Sequence, residues 1–168
     1  VVLMKISEYI SKDINALTLN STVAEAKRSV SDTSYSHVLI VDNQYLVGLI
    51  SESDIDTIEN KSDTLKNYEH LFEHFFIKNS DNWIDILKMF AASETNIVPV
   101  LGDNNEYVGY YELADVLHYF NDTPLLNHDG FFLVIEKGIK DYSFSEISQI
   151  VESNDAKLIG IFISGYKN

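Results

Sequence analysis

The chain repeats itself at an interval of about 60 residues, and this duplication constrains the fold more than any other feature. The matched segments are Val38–Val41 with Val98–Leu101, Tyr45–Gly48 with Glu106–Gly109, and Asp54 with Asp115. The interval drifts by one residue between the pairs, as happens where turns and helix starts tolerate insertions. Because repeats of this length mark a duplicated supersecondary unit, we predict two copies of one small fold.

Each copy has the pattern strand, helix, strand, strand, helix. Short first strands are predicted at Ala16–Leu19 and Phe75–Ile77, with helix caps at Ser21 or Thr22 and at Ser80 or Asp81. The following helices place apolar residues on one face, namely Val23, Ala26 and Val30 in the first copy and Trp83, Ile86, Leu87, Phe90 and Ala91 in the second. Two apolar strands then flank tight polar turns at 42–44 and 102–105. The last helix starts at Ser51 in the first copy and near Glu112 in the second.

The predicted domains are repeat 1 at 4–58, a polar linker at 59–70, repeat 2 at 71–122 and a partial domain at 127–168. Pro124 is expected to prevent further helix after the second repeat. We also expect Met4 to be the native first residue.

The tail carries its own strand, helix, strand pattern. Phe131–Ile135 and Leu158–Ile163 are apolar runs, and Ser143 or Ser145 can cap a helix between them. Two strands joined by a helix are expected to be parallel with a right-handed crossover. Three elements bury little, so this unit should need a continuation beyond Asn168 or another surface to pack on.

Charge and composition exclude several classes of partner. The chain has 12 basic and 26 acidic residues, a net charge of −14, which repels nucleic acid and anionic lipid. No apolar stretch approaches the roughly 20 residues that span a bilayer. Cysteine is absent, which excludes disulfides and thiolate chemistry and agrees with a reducing compartment. We therefore expect a cytoplasmic protein with neither nucleic acid nor membrane as partner.

Three motifs resemble those of CBS domains: the apolar strand Val98–Val100 with its central proline, the Val-Gly pairs at Gly48 and Gly109, and the segment Gly48–Asp54. That segment fits the family's Gly-apolar-x-Ser/Thr-x-x-Asp signature. The resemblance covers roughly 4–121. It implies an α+β fold in which two β-α-β-β-α CBS repeats form a pseudo-twofold pair (a Bateman module) with two clefts.

The same resemblance implies a non-catalytic regulatory module. Many relatives hold AMP, ADP, ATP or another adenosyl ligand in a cleft, require no cofactor, regulate an attached or partner protein, and form homodimers through the CBS helices. The tail is similar to the first half of a ferredoxin-like ACT domain, as in acetoin-utilisation-type CBS–ACT proteins. Its turn at 141–144 lacks the glycine of the ACT Asp-x-x-Gly pattern, so amino-acid binding is not expected.

The candidate ligand site centres on Ser51 and Asp54. The resemblance assigns a phosphate contact to Ser51 and a ribose contact to Asp54. The remaining candidate residues are Thr18, His37, Val38, Ile50, Ile77, Lys78, Pro99 and Asp115. Ser-x-x-Asp is also the pattern of a capping box, which satisfies helix-end amides without any ligand. The second copy has Glu112 where a hydroxyl is expected, so its Asp115 site suits a phosphate less well.

Two further interpretations remain open. One is a dimerisation scaffold that binds no small molecule, favoured by Glu112 and by the scarcity of lysine near the site. The other is a zinc hydrolase, because 70–74 matches the H-x-x-E-H pattern. A strand predicted directly after this motif argues against it, since the two histidines must share one helix. We predict no catalytic residues and no metal site.

Overall fold

A computed structural model describes residues 6–13, 16–121, 123–136 and 142–163 of the 168-residue chain. The chain divides into two compact units, Val1–Leu117 and His118–Asn168. The helices and strands are α1 (Val23–Thr33), β1 (His37–Asp42), β2 (Tyr45–Ser51), α2 (Glu52–Thr57), β3 (Ile77–Lys78), α3 (Trp83–Ser93), β4 (Ile97–Leu101), β5 (Tyr107–Glu112), α4 (Leu113–Asn121), α5 (Pro124–Asn127) and α6 (Phe144–Ser153). Short 3-10 helices lie at Ile6–Tyr9 and Leu65–Leu71.

The first repeat is built on the antiparallel hairpin β1–β2. His37 lies opposite Ser51 at its open end. Asn43 and Gln44 form the turn with φ of 47° and 72°, the left-handed geometry of a two-residue turn that follows strand twist. The predicted turn and both strands are confirmed.

Helix α1 begins with a capping box. Its N-cap is Thr22, whose side chain accepts from the Glu25 amide while the Glu25 carboxylate accepts from the Thr22 amide. Its predicted apolar residues Val23, Ala26 and Val30 are all buried. Together with the inner side chains of β1 and β2, they form the core of the first repeat.

The second repeat has the same plan with two local differences from the prediction. Helix α3 begins one residue later, because the side chain of Asn82, not Ser80 or Asp81, accepts from the first helical amides. Its Ile86 and Phe90 are buried, whereas Trp83 is 39% exposed. Strands β4 and β5 form the predicted hairpin, and β3 joins it in parallel to complete a three-stranded sheet.

The predicted first strands are shorter than expected. In place of a strand at Ala16–Leu19, Leu17 makes one parallel bridge to Ile40 with two backbone hydrogen bonds. Only Ile77–Lys78 of the second copy is a strand, pairing with Val100 and Leu101. Both segments lie at the sheet edge, where a neighbouring strand on one side alone supports them.

The linker is more than a tether. Leu65 is fully buried in the core of the first repeat, and backbone carbonyls of Lys61 and Asp63 accept from amides at the start of α1. These carbonyls satisfy helix-end amides that a cap alone leaves open.

The two repeats are related by a pseudo-twofold arrangement that reciprocal contacts reveal. The amide of Ser36 donates to Asn96 Oδ1 at 2.8 Å, and the amide of Asn96 donates to Ser36 Oγ at 3.1 Å. Each repeat also receives an edge segment preceding the other hairpin. Glu73 bridges to Leu49, and Ser11 bridges to Tyr110. The predicted α+β fold with a pseudo-twofold pair is therefore confirmed.

The faces of the hairpins divide the interior. Alternate residues of a strand point to opposite faces. Val38, Ile40 and Ile50 point into the core of the first repeat. Leu39 and Leu49 point the other way and pack with residues of the second repeat, forming a separate core cluster with Ile97 and Tyr110.

The second unit departs from the predicted tail. Helix α6 forms, with Ser143 as its N-cap, but neither Phe131–Ile135 nor Leu158–Ile163 lies in a strand. Phe131 and Phe132 are 106% and 87% exposed. A strand needs a hydrogen-bonded neighbour, and a single helix with two short runs supplies too little buried surface to hold one in place.

The expectation for Pro124 was wrong. It begins the short helix α5 at the first helical position, where a missing amide costs nothing. The predicted native start at Met4 and Asp141, the first residue of the ACT-like turn, lie outside the described residues.

Candidate functional site

The first cleft is defined by His37 and Ser51 at the open end of β1–β2, on the strand face that packs toward the second repeat. They are cross-strand partners and share the strand face of Leu39 and Leu49, which packs between repeats. His37 is 6% exposed and Ser51 is 9% exposed. The fold therefore presents an imidazole and a hydroxyl side by side at a junction of the two repeats.

Ser51 and Asp54 form a helix cap. Ser51 is the N-cap of α2, and its Oγ accepts from the Asp54 amide at 3.1 Å. The same hydroxyl donates to Asp54 Oδ2 at 2.7 Å. The two predicted residues thus lie together, and the capping alternative is realised in the geometry.

Residues preceding β3 complete the first cleft. Glu73 Oε1 lies 3.1 Å from His37 Nε2, and the Phe75 ring contacts the imidazole edge-on at 5.7 Å between centroids. A carboxylate only accepts, so Nε2 is the donor to Glu73, while Nδ1 lies 2.8 Å from the Ser36 hydroxyl, which itself donates to Asn96 Oδ1 at 3.0 Å. The imidazole orientation is therefore set from both sides.

The other predicted residues are spread more widely. Val38 and Ile50 have buried side chains in the core of the first repeat, so only their backbone can face the cleft. Thr18 is exposed and bonds to Ser21. Lys78 lies beside Leu101 and donates to Asn105 in the β4–β5 turn.

Ile77, Pro99 and Asp115 belong to the second repeat. Ile77 is 2% exposed in β3. Pro99 is buried opposite Tyr110 in the β4–β5 hairpin, on the strand face that Ile97 shares. Asp115 is half-buried in the first turn of α4 and occupies the position equivalent to Asp54.

The second cleft, at the equivalent end of β4–β5, contains a tyrosine network. Tyr35 donates to Glu112 Oε1 at 2.7 Å, and Tyr110 donates to Asp13 Oδ1 at 2.7 Å. The hydroxyl oxygens lie 3.3 Å apart, but with both carboxylates ionised neither hydroxyl has a second proton to share. Tyr35, Tyr110 and Asp13 line one side of a cavity of about 390 Å³.

Burial in this region raises the pKa of several tyrosines. Desolvation raises the pKa of Tyr110, and its contacts with Tyr35 and Asp13 raise it further. Desolvation also raises the pKa of Tyr35, where the Tyr110 hydroxyl opposes the rise and Glu112 adds to it. Desolvation also raises the pKa of Tyr111 to about 12. The phenols of the second cleft therefore remain protonated donors at neutral pH.

The zinc-hydrolase pattern does not have the required geometry. His70 lies in the last turn of the 3-10 helix Leu65–Leu71, Phe72 has extended backbone (φ −77°, ψ 134°), and Glu73 bridges to Leu49. The two histidines therefore do not lie one turn apart on an α-helix. Within the described residues, no group of three or more histidine or acidic side chains is placed to hold a metal ion. Those residues also include no helix with the length and apolar character for a membrane span.

Several site residues were missed in the sequence. Glu73 and Phe75 reach the first cleft, and Tyr35 reaches the second, from the repeat opposite the capping position, so no local motif contains them. Tyr110 lies on β5 in the same repeat as Glu112. The repeat interval does pair Tyr35 with Thr95 and Tyr110 with Leu49. Those pairs signalled that the two clefts differ.

Comparison with known proteins agrees with this geometry. Residues 6–58 match the CBS domain family. That match covers the first repeat. A CBS domain pair/ACT domain protein from Thermotoga maritima is similar in structure, with a TM-score of 0.62 and 18% identity over 70% of this chain and 96% of that one. CBSX2 in complex with AMP has a TM-score of 0.58 and 12% identity over 68% and 94%.

At these identities the likeness describes the fold, and the fold is that of a CBS domain pair. Inosine-5'-monophosphate dehydrogenase from Methanocaldococcus jannaschii is 28% identical over 114 residues, 67% of this chain but 23% of that enzyme. The chain spans less than half of each curated relative it matches. The ACT-like tail and the acetoin-utilisation resemblance are not confirmed.

Proposed function

We propose that this CBS pair is a non-catalytic regulatory module that senses an adenine nucleotide or another adenosyl ligand in the first cleft. The observation that carries the proposal is the placement of His37, Ser51 and Asp54 at one junction of the repeats. An imidazole edge can contact a base, and a carboxylate at the rim can accept from ribose hydroxyls. The AMP complex of a protein with the same fold supports this ligand class.

Ligand binding would act by shifting populations. The first cleft is lined by both repeats, since Glu73 and Phe75 approach His37 from the second. A ligand that touches both repeats favours the arrangement it binds more tightly. We propose that this shift regulates an attached or partner protein and that no cofactor is required.

Titration calorimetry on the full chain tests the proposal, using adenosine, S-adenosylmethionine, AMP, ADP, ATP and NAD. At least one should bind and raise the melting temperature, because a ligand that binds the native state stabilises it. Asp54→Asn should weaken binding at least tenfold. Thr22→Ala is a matched control that removes a cap from α1 but leaves binding unchanged.

The competing function is a scaffold that binds no small molecule. It is favoured by the way Ser51 and Asp54 already satisfy each other. If none of the six compounds binds at millimolar concentration, the sensor proposal is wrong and the scaffold remains.

We also propose a homodimer formed through the CBS helices. Ile84 on α3 and Leu117 on α4 are 44% and 53% exposed, so both helices present apolar side chains. Light scattering should give twice the chain mass. Ile84→Lys should shift that mass toward the monomer, whereas Lys88→Ala, a change of an exposed residue one turn away, should not.

A further inference from the structure

We infer that the first cleft selects an adenosyl ligand without phosphate groups and discriminates against ATP. This inference rests on the proposed function and specifies the ligand class of that site. Three features of the first cleft support it. Backbone amides there already donate to acceptors in the chain, carboxylates lie close to the site, and the nearby lysines already bind other groups.

Two of the backbone amides at the start of α2 already donate to acceptors within the chain. A phosphate at a helix start is normally held by unsatisfied backbone N–H groups. Here the Glu52 amide donates to the Ser36 carbonyl at 2.9 Å, and the Asp54 amide donates to Ser51 Oγ at 3.1 Å. The Ser51 hydroxyl itself donates to Asp54 Oδ2. A phosphate would have to break these bonds to be held.

The carboxylates at this end are the wrong sign for a phosphate. Glu52 and Asp54 occupy the first turn of α2, where they already interact with its positive end. Glu73 adds a third carboxylate on the opposite side, beside His37. Like charges within a Debye length, about 8 Å at physiological salt, repel an incoming anion.

Lysines near α2 are engaged by the chain. Lys27 forms ion pairs with Glu52 and Asp56, and these bonds raise its pKa. Lys61 donates to the Ile55 carbonyl at 2.9 Å. Among the described side chains, no lysine or arginine forms a hydrogen bond or ion pair with Ser51, Asp54 or His37. No lysine or arginine among the described side chains is therefore placed beside Ser51 and Asp54 to neutralise the charge of a triphosphate.

A carboxylate-rimmed site suits a neutral or cationic nucleoside. Asp54 and Glu73 can accept from ribose hydroxyls or from an amino group, since ionised carboxylates act only as acceptors. Selection by charge should therefore appear as a graded loss of affinity when phosphates are added to the same adenosine.

The test is a calorimetric series on the full chain with S-adenosylmethionine, adenosine, AMP, ADP and ATP at 50 mM and 300 mM salt. ATP should bind at least tenfold more weakly than adenosine at low salt, and the gap should narrow at high salt because screening weakens repulsion. ATP affinity equal to or above that of adenosine would overturn the inference and leave the sensor function standing. Binding by none of the five would overturn the inference, and absence of NAD binding as well would overturn the sensor function.

Two variants separate the cleft from the overall charge of −14. Glu73→Gln keeps the backbone bridge to Leu49 but removes a carboxylate from the cleft, and it should raise ATP affinity relative to adenosine about threefold or more. Asp42→Asn makes the same charge change in β1 at the turn end, about 16 Å along the strand from His37. If Asp42→Asn alters the ATP-to-adenosine ratio as much as Glu73→Gln, net charge and not the cleft sets the preference, and the inference is wrong.

Discussion

The two clefts have the same backbone arrangement but are lined by different side chains. Where the first cleft has Ser51 and Leu49, the second has Glu112 and Tyr110. The first presents small polar groups beside an imidazole, whereas the second is crossed by two phenols hydrogen-bonded to carboxylates. Duplication therefore preserved the fold while the second cleft acquired its own internal hydrogen-bond partners.

This difference indicates different roles for the two clefts, one in stabilising the fold and one in binding a ligand. A buried polar network in which every member has a partner stabilises one arrangement of its surroundings. In the second cleft the buried member has its partner, because Tyr110 is 1% exposed and donates to Asp13, an exposed residue that precedes α1. In the first cleft His37 and Ser51 are buried, at 6% and 9% exposure, and Glu73 is 42% exposed, so of these three polar side chains the carboxylate is the one open to an approaching ligand.

The largest expected difference in stability between the two clefts comes from a pair of equivalent glycines. Each leaves room for an edge segment to pack against its hairpin. Gly109 has φ +150°, and an added Cβ would lie 2.5 Å from both Ile10 Cγ2 and the Ser11 carbonyl oxygen. Gly48 is looser, with its nearest neighbours at 3.0 and 3.1 Å. Gly109→Ala should lower the free energy of unfolding by about 3 kcal/mol and Gly48→Ala by about 1 kcal/mol, from overlap and backbone strain.

Urea denaturation of both variants measures this contrast. Equal losses would mean that the two edge segments are held equally tightly and that the second cleft is not the more rigid one. A larger loss for Gly48→Ala would reverse the comparison.

The next effect concerns the hydroxyl of Tyr110. Tyr110→Phe keeps the buried ring but leaves Asp13 without this donor, which should cost about 1–2 kcal/mol of unfolding free energy. Tyr45→Phe is the control, since Tyr45 is 55% exposed and should change stability by less than about 0.5 kcal/mol. An effect of Tyr110→Phe no larger than that of the control would show that the network is not a stabilising element.

Alkaline pH should distinguish the clefts in the same way. The pKa values of Tyr110 and Tyr35 are raised in the folded state, so their stabilising contribution is fully present below the unfolded pKa of about 10 and is lost as pH rises. At pH 11, one pH unit above the unfolded value, Tyr110 should contribute a loss of about 1.4 kcal/mol, and Tyr35 a loss in the same direction. Denaturation at pH 9, 10 and 11, together with tyrosinate absorbance, measures the slope.

The Tyr110→Phe variant serves as the control for this titration. It should show a shallower loss than the parent because one shifted phenol is gone. A free energy of unfolding that stays constant from pH 9 to pH 11 would contradict the raised pKa values.

Much of the fold followed from the sequence because its signals are local. The repeat interval, the two polar turns and the apolar face of α1 each depend on neighbouring residues, and all are confirmed. Strand alternation would also have excluded the side chains of Val38 and Ile50 from the cleft, since they share a face with core residues.

The remaining features depend on contacts distant in sequence. Glu73 reaches His37 only because the chain crosses between the repeats, and Tyr35 reaches Glu112 for the same reason. The strand prediction for the tail was wrong for a related reason. Its apolar runs have the composition of strands, but a strand also requires a hydrogen-bonded neighbouring strand.

The smallest effect is expected from restoring the family hydroxyl in the second cleft. Glu112→Ser gives that cleft the signature Ser-x-x-Asp, and it removes the acceptor of Tyr35 at a cost of less than about 1 kcal/mol at this half-buried position. We expect no second binding site, because Tyr35 and Tyr110 still cross the cleft. Calorimetry should keep the stoichiometry of the parent chain. A stoichiometry raised by one adenosyl ligand per chain would show that Glu112 alone had closed the second cleft and that the tyrosines leave room for a ligand.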